Sequence, residues 1–222
     1  MSSAGTPLVA AIVDYGMGNL FSVESACMVA GMKPLITEQP SEIEAADLII
    51  LPGIGAFPDA MANLREKELD PVLRRIAEAG RPLVGICLGM QLLLSQSDEF
   101  EVSAGLGLIP GRVRDLTALN AASETEQKIP NIGWAPIDQN AADPLLDGLR
   151  IGEEMYFVHS LFVEPDDKGI AICTAEFAGL DFCAGFRVGN IAGLQFHPER
   201  SGPAGLAIYA NIRDWAAERL AR

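Results

Sequence analysis

The strongest constraint on the fold is a rhythm in the first half of the chain, where short apolar runs stop at glycine or proline and give way to stretches of helical composition. Leu8 to Val13 runs into the turn Asp14-Tyr15-Gly16-Met17-Gly18-Asn19 and then a helical stretch from about Leu20 to Ala30. Leu48 to Leu51 stops at Pro52 and Gly53, Asp59 to Gly80 has helical composition, and Leu83 to Ile86 is a third apolar run. Strands that alternate with helices are joined by crossovers, and crossovers make neighbouring strands parallel. After Leu106 the pattern shortens into strand-like pieces at Arg112 to Leu116, Ile132 to Ile137, Tyr156 to Val163, Ile170 to Phe177 and Phe182 to Val188. The expected fold is α/β: an open, mostly parallel central sheet flanked by helices, with extra antiparallel strands in the second half.

The chain of 222 residues suits one domain spanning 1–222, with no linker, repeat or low-complexity tract to divide it. Thr117 to Gln127, small and polar without strand alternation, reads as a mobile surface loop. From Pro203 to Leu220 the sequence reads as an amphipathic helix, with Tyr209, Ile212, Ala216 and Leu220 on one face and Trp215 as core or rim packing.

A net charge of -14 repels phosphate backbones and anionic lipid, which excludes nucleic acid and membrane surfaces as partners. Met1 to Pro7 lacks the features of a secretory signal, and no apolar run approaches the ~20 residues needed to span a bilayer. The cytoplasm is the expected compartment. None of the four cysteines, Cys27, Cys87, Cys173 and Cys183, belongs to a C-x-x-C pair, so neither a metal site nor a cofactor is expected. Cys27, Cys173 and Cys183 read as small hydrophobes among apolar or small neighbours.

Cys87 has a different setting. In Pro82-Leu83-Val84-Gly85-Ile86-Cys87-Leu88-Gly89 an apolar strand runs into a cysteine with glycine two positions before and two after. This is the pattern of a nucleophile elbow, a sharp strand-to-helix turn that small neighbours make sterically possible. A helix from Met90 through Leu94 follows. Such a turn puts the sulfur at a helix N-terminus and lets the Leu88 N–H face a forming oxyanion. The alternative is a buried cysteine between packing glycines. A base decides between them, and only two histidines exist, His159 and His197. His197, in Gln195-Phe196-His197-Pro198-Glu199, ends an apolar stretch and has a carboxylate two residues on to hold its ring. His159 has no acidic residue within three positions.

These residues resemble the class I (triad) glutamine amidotransferases, whose signature is the G-x-C-x-G elbow, here Gly85 to Gly89, with a late H-P-E, here His197-Pro198-Glu199. Within that family the sequence is similar to the glutaminase subunits of imidazole glycerol phosphate synthase. Asp14 to Leu20 (DYGMGNL), Pro52 to Phe57 (PGIGAF), Gly85 to Leu92 (GICLGMQL) and Tyr156 to Ser160 (YFVHS) carry that likeness in order along most of the chain. The resemblance implies that Cys87 attacks the side-chain amide of L-glutamine, His197 passes a proton to the leaving ammonia, Glu199 orients His197, and water cleaves a glutamyl thioester. It implies further that Gln91, His159 and Ser160 hold the substrate, and that the Gly53-Ile54-Gly55 loop joins Leu88 in the oxyanion hole. The partner it implies is a (βα)8-barrel cyclase subunit that takes the ammonia in histidine biosynthesis, with Asn19 and the segment from Lys128 to Trp134, including Asn131 and Trp134, at the interface. Trp134 suits a contact hot spot there or, alternatively, a place in the core.

Three positions depart from that likeness: Asn131 where histidine is usual, Ala135 where asparagine is usual and Leu161 where an aromatic is common. None is in the triad. Paralogues with the same glutaminase core serve sugar-amidating synthases, a stand-alone cysteine hydrolase would need the same triad, and a non-catalytic glutamine-binding subunit would keep only the cleft.

Overall fold

The computed structural model describes residues 7–125 and 127–221. Position 126, inside the loop expected between Thr117 and Gln127, and most of Met1 to Pro7 therefore lie outside the described residues. The first half alternates as the rhythm requires: β1 (Val9–Val13), α1 (Leu20–Val29), β2 (Lys33–Thr37), α2 (Pro40–Ala45), β3 (Leu48–Gly53), α3 (Phe57–Glu66), α4 (Leu69–Glu78), β4 (Leu83–Cys87) and α5 (Leu88–Leu92). Then come β5 (Leu94–Ser97), β6 (Ser103–Ala104), β7 (Ile109–Asp115), α6 (Thr117–Ala122), β8 (Asn131–Pro136), β9 (Asp138–Gln139), β10 (Glu154–His159), β11 (Leu161–Pro165), β12 (Ala171–Phe177), β13 (Leu180–Val188), β14 (Ile191–Leu194) and α7 (Gly202–Leu220).

The main sheet runs β2-β1-β3-β4-β14-β13-β11-β7-β5-β6, with β12 pairing β13 off this path. Its first five strands pair in parallel, whereas β13, β11 and β12 run antiparallel to their neighbours. β8 and β10 form a separate antiparallel ribbon. Because side chains alternate across a strand, the central strands feed two cores. Ile12, Leu48, Ile50, Val84, Ile86 and Leu194 pack beneath α1 and α7; Val13, Ile49, Leu51 and Leu83 pack beneath α3, α4 and α5.

Several expectations change in detail. The helical stretch from Asp59 to Gly80 is two helices, broken where Glu68 adopts φ 57°. The helix after Cys87 begins at Leu88, and Leu94 already belongs to β5, since Leu92 O and Leu94 O receive the N–H groups of Leu106 and Gly107. Tyr156 to Val163 is two strands in different sheets, because Ser160 breaks the run to give its carbonyl to Leu116 N–H. Thr117 to Ala122, expected as loop, is the short helix α6. On α7, Trp215 is buried with Tyr209, Ile212 and Ala216, while Leu220, expected on that face, is exposed in the last turn. Among the described residues no helix is long and apolar enough to cross a membrane.

Candidate active site

β4 lies between β3 and β14, so the carboxyl ends of three parallel strands meet where β4 stops. Ligands bind at such edges in open α/β sheets. Cys87 ends β4 at φ 53°, ψ -112°, a conformation costly for a residue with a β-carbon and characteristic of a nucleophile turn. The flanking glycines have a steric reason. A β-carbon on Gly85 would stand 2.6 Å from Gly89 O and Met90 N, and one on Gly89 would overlap the Leu51 carbonyl of β3. The turn therefore closes against both itself and the next strand only when these side chains are absent.

His197 follows β14 and is fixed from two directions. Its N–H donates to Tyr156 O at 2.9 Å, and Ser201 Oγ donates to His197 O at 2.7 Å. Nδ1 lies 2.7 Å from Glu199 Oε1, with both side chains almost wholly buried. A carboxylate accepts, so Nδ1 carries a proton and Nε2 is the nitrogen left for chemistry. Nε2 is buried, with no partner at full hydrogen-bond geometry. Burial pulls the His197 pKa down, but proximity to Cys87 and the bond to Glu199 outweigh it and push the value up to about 10. The ring therefore holds its proton more firmly than a free imidazole does.

His159 behaves oppositely. Its Nδ1–H donates to Leu161 O at 2.8 Å, and its Nε2 accepts from Asn131 Nδ2 at 3.0 Å. Burial first, then the charge of His197, lowers its pKa to about 4, against the raising effect of the Leu161 bond. The ring is a neutral, buried group with both nitrogens engaged.

A cavity of about 410 Å³ opens in front of the sulfur, lined by Ile54, Gly55, Cys87, Leu88, Gln91, His159 and Ser160 among others. Gly53 stands just behind it, paired with Cys87 across β3 and β4. The residues expected at an interface lie elsewhere. Asn19 is the exposed N-cap of α1. Trp134 on β8 is 53% exposed, edge-on to Tyr156, whose face carries the Arg200 guanidinium 4.6 Å from its ring centre. The core place considered for Trp134 is thus not the one it takes. Asn131, by contrast, is half-buried and has its amide on His159. Of the other departures, Ala135 packs partly buried against the core and the Leu161 side chain is buried, away from the surface.

Three residues near the sulfur escaped the sequence reading. Tyr15 is buried and its hydroxyl donates to Pro52 O at 2.8 Å, bracing the loop that carries Gly53 to Gly55. Glu99 reaches the cavity wall and accepts from Phe57 N–H at 2.6 Å; burial raises its pKa. Gln195 places its amide nitrogen 3.6 Å from Cys87 Sγ. Gln195 and Tyr15 had a sequence signal, Gln195 two residues before His197 and Tyr15 within the segment Asp14 to Leu20, whereas Glu99 had none. The remaining thiols are inert by comparison, since burial pushes Cys27 and Cys183 up to about 12 and Cys173 well above its ordinary value.

Comparison with known proteins shows the family. The family described as Glutamine amidotransferase class-I matches residues 11–213. The chain is 45% identical over 202 residues to the imidazole glycerol phosphate synthase subunit HisH of Moorella thermoacetica, covering 91% of this chain and 92% of that protein. It is 41% identical over 214 residues to HisH of Bacillus cereus, covering 95% and 98%. Among solved structures, PurLQS from Thermotoga maritima shares the fold with a TM-score of 0.70 at 21% identity, covering 95% of this chain and 99% of that one. A strained cysteine at the end of β4 and a carboxylate-held histidine after β14 thus sit in a sequence that belongs to the class-I glutamine amidotransferase family, among the relatives of imidazole glycerol phosphate synthase subunit HisH.

Proposed function

We propose that this chain, as one domain in the cytoplasm, hydrolyses L-glutamine to L-glutamate and ammonia and delivers the ammonia to a (βα)8-barrel cyclase subunit of imidazole glycerol phosphate synthase, as half of a heterodimer. The observation that carries the reading is the 2.7 Å bond from His197 Nδ1 to Glu199 beside Cys87 in its strained turn. In this mechanism Cys87 Sγ attacks the glutamine side-chain carbonyl carbon, and the Leu88 N–H and the loop from Gly53 to Gly55 face the oxyanion. The His197 imidazolium gives its Nε2 proton to the departing nitrogen, and the C–N bond breaks to leave a thioester. Water then attacks that carbon, losing a proton to the now neutral His197, and the C–S bond breaks to release glutamate.

Substrate choice follows from the walls of the cavity. Glu99 and Arg200 both line it, and a free amino acid carries an ammonium and a carboxylate that opposite charges can hold. Gln91, His159 and Ser160, which line the same cavity, are the neutral residues proposed to hold the substrate. Trp134 and Asn19 are the residues assigned to the partner face.

The test is glutamate release with and without the cyclase. Release that rises when the cyclase is added and vanishes in Cys87→Ala is expected; undiminished turnover by that variant overturns the reading.

A further inference from the structure

Gln195 plays no part in the steps above, yet its side chain is fully buried beside the sulfur. Which end of its amide faces Cys87 is dictated from a distance. Gln91 Nε2 lies 3.2 Å from Leu161 O, a carbonyl that can only accept, so the NH2 end of Gln91 is there. The same NH2 lies 3.0 Å from Gln195 Oε1 and donates its second hydrogen to it. With its oxygen so occupied, Gln195 presents its own NH2 to Cys87 Sγ at 3.6 Å. A thiol, in contrast, has an outlet of its own, the Val158 carbonyl 3.8 Å from the sulfur. The two bonds select opposite forms, because the protonated sulfur donates to Val158 and the ionised sulfur accepts from Gln195.

Resting on the reading of Cys87 as the nucleophile, we propose that Gln195 is a positioning residue that donates an N–H to Cys87 Sγ, favouring the ionised sulfur at the end of a hydrogen-bond relay that Gln91 anchors on the Leu161 carbonyl. The relay acts in both halves of the reaction. Before attack it adds a fixed donor to the positive His197 in holding sulfur charge. In thioester breakdown water bonds to the carbonyl carbon, its proton passes to His197 Nε2, the C–S electron pair returns to sulfur, and the Gln195 N–H receives that charge. Gln91 is linked to the same relay: its NH2 is committed on both hydrogens, so its oxygen is the end free for substrate.

The titratable and charged groups around the sulfur are His197 from the segment after β14, Tyr15 from the turn after β1 and His159 from β10, with Glu199 behind His197 and Glu99 and Arg200 on the wall of the cavity in front of it. None is altered by changing Gln195. The experiment measures the rate of Cys87 alkylation by iodoacetamide against pH, by peptide mass spectrometry, in wild type, Gln195→Met and Gln195→Glu, alongside kcat and KM for glutamine with the cyclase. One lost bond to a charged acceptor is expected to move the Gln195→Met curve up by about one pH unit, and kcat near neutrality to fall about tenfold and recover as pH is raised. Gln195→Glu keeps an acceptor for Gln91 but turns a carboxyl toward the sulfur, so its curve moves further. Wild-type alkylation curves in both variants overturn the relay, and so does collapse of the melting temperature in both, which would assign Gln195 to packing. Alkylation needs neither glutamine nor partner, so the relay can fail while Cys87→Ala still abolishes glutamate release, and the two readings are separable.

Discussion

The bond between Glu199 and His197 Nδ1 decides which imidazole nitrogen is available to the reaction, because a carboxylate can only accept and so fixes the tautomer. Glu199→Gln is expected to lower kcat by about 100-fold or more while leaving KM within a fewfold, in steady-state glutamate release. The two histidines also leave opposite marks on stability. His159, held neutral with a pKa of about 4, binds a proton more readily in the unfolded chain, so stability falls as pH drops from the ordinary histidine value toward 4. That loss is on the order of 3 kcal/mol, and His159→Gln is expected to flatten this limb of a melting-temperature profile. His197, raised to about 10, contributes stability that is complete below the ordinary histidine value and lost as pH rises through 10. At this scale the proposed triad was legible because two short motifs, Gly85 to Gly89 and His197 to Glu199, hold all three of its residues. Gln195 and Asn131 were not, since an amide has no chemical signature until its partners, Cys87 and His159, are known.

Elements built from local rules were read closely. β1, β3, β4 and β14 are apolar runs that end where the sequence has a turn residue or a polar one, and α1 and α7 begin and end within a residue or two of the expected bounds. Elements that depend on distant partners were not. β2 carries Lys33 and Pro34 at the sheet edge and has no apolar run to announce it; it exists because it pairs with β1. α6 has no fully buried residue and no side-chain bond from its N-cap residue, so composition pointed to loop. Tyr156 to Val163 reads as one strand by composition, and only the demand of two different sheets divides it at Ser160. The helix that seals one face, α7, gives a direct check. Trp215→Ala is expected to destabilise by about 3–5 kcal/mol in denaturant unfolding, whereas Leu220→Ala, outside the core, shifts it by less than about 0.5 kcal/mol. Gly89→Ala, which would drive a methyl into the Leu51 carbonyl of β3, is expected to cost roughly 1–3 kcal/mol and most of the activity.

For the whole molecule, the proposed partner face is separable from the chemistry. Trp134 stands out on β8 while the proposed triad sits at the ends of β4 and β14, so Trp134→Ala is expected to weaken cyclase binding by about tenfold or more without changing Cys87 alkylation. Titration of the two subunits by calorimetry measures it. The order of the strands has a consequence in time. β4, near the middle of the chain, has β14, close to its end, as its neighbour, and the Gln195 that reaches Cys87 comes 108 positions later. During synthesis the cysteine turn can emerge and even fold against β3 while the imidazole that would discharge it is still unmade. A ribosome-bound chain stopped before Ile191 therefore holds the proposed nucleophile without its proposed acid and relay, and with one bare strand edge. On the proposed mechanism the order of the chain withholds ammonia production until β14 and His197 are in place, after the residues proposed for the partner face, Asn19 and Trp134, have been made.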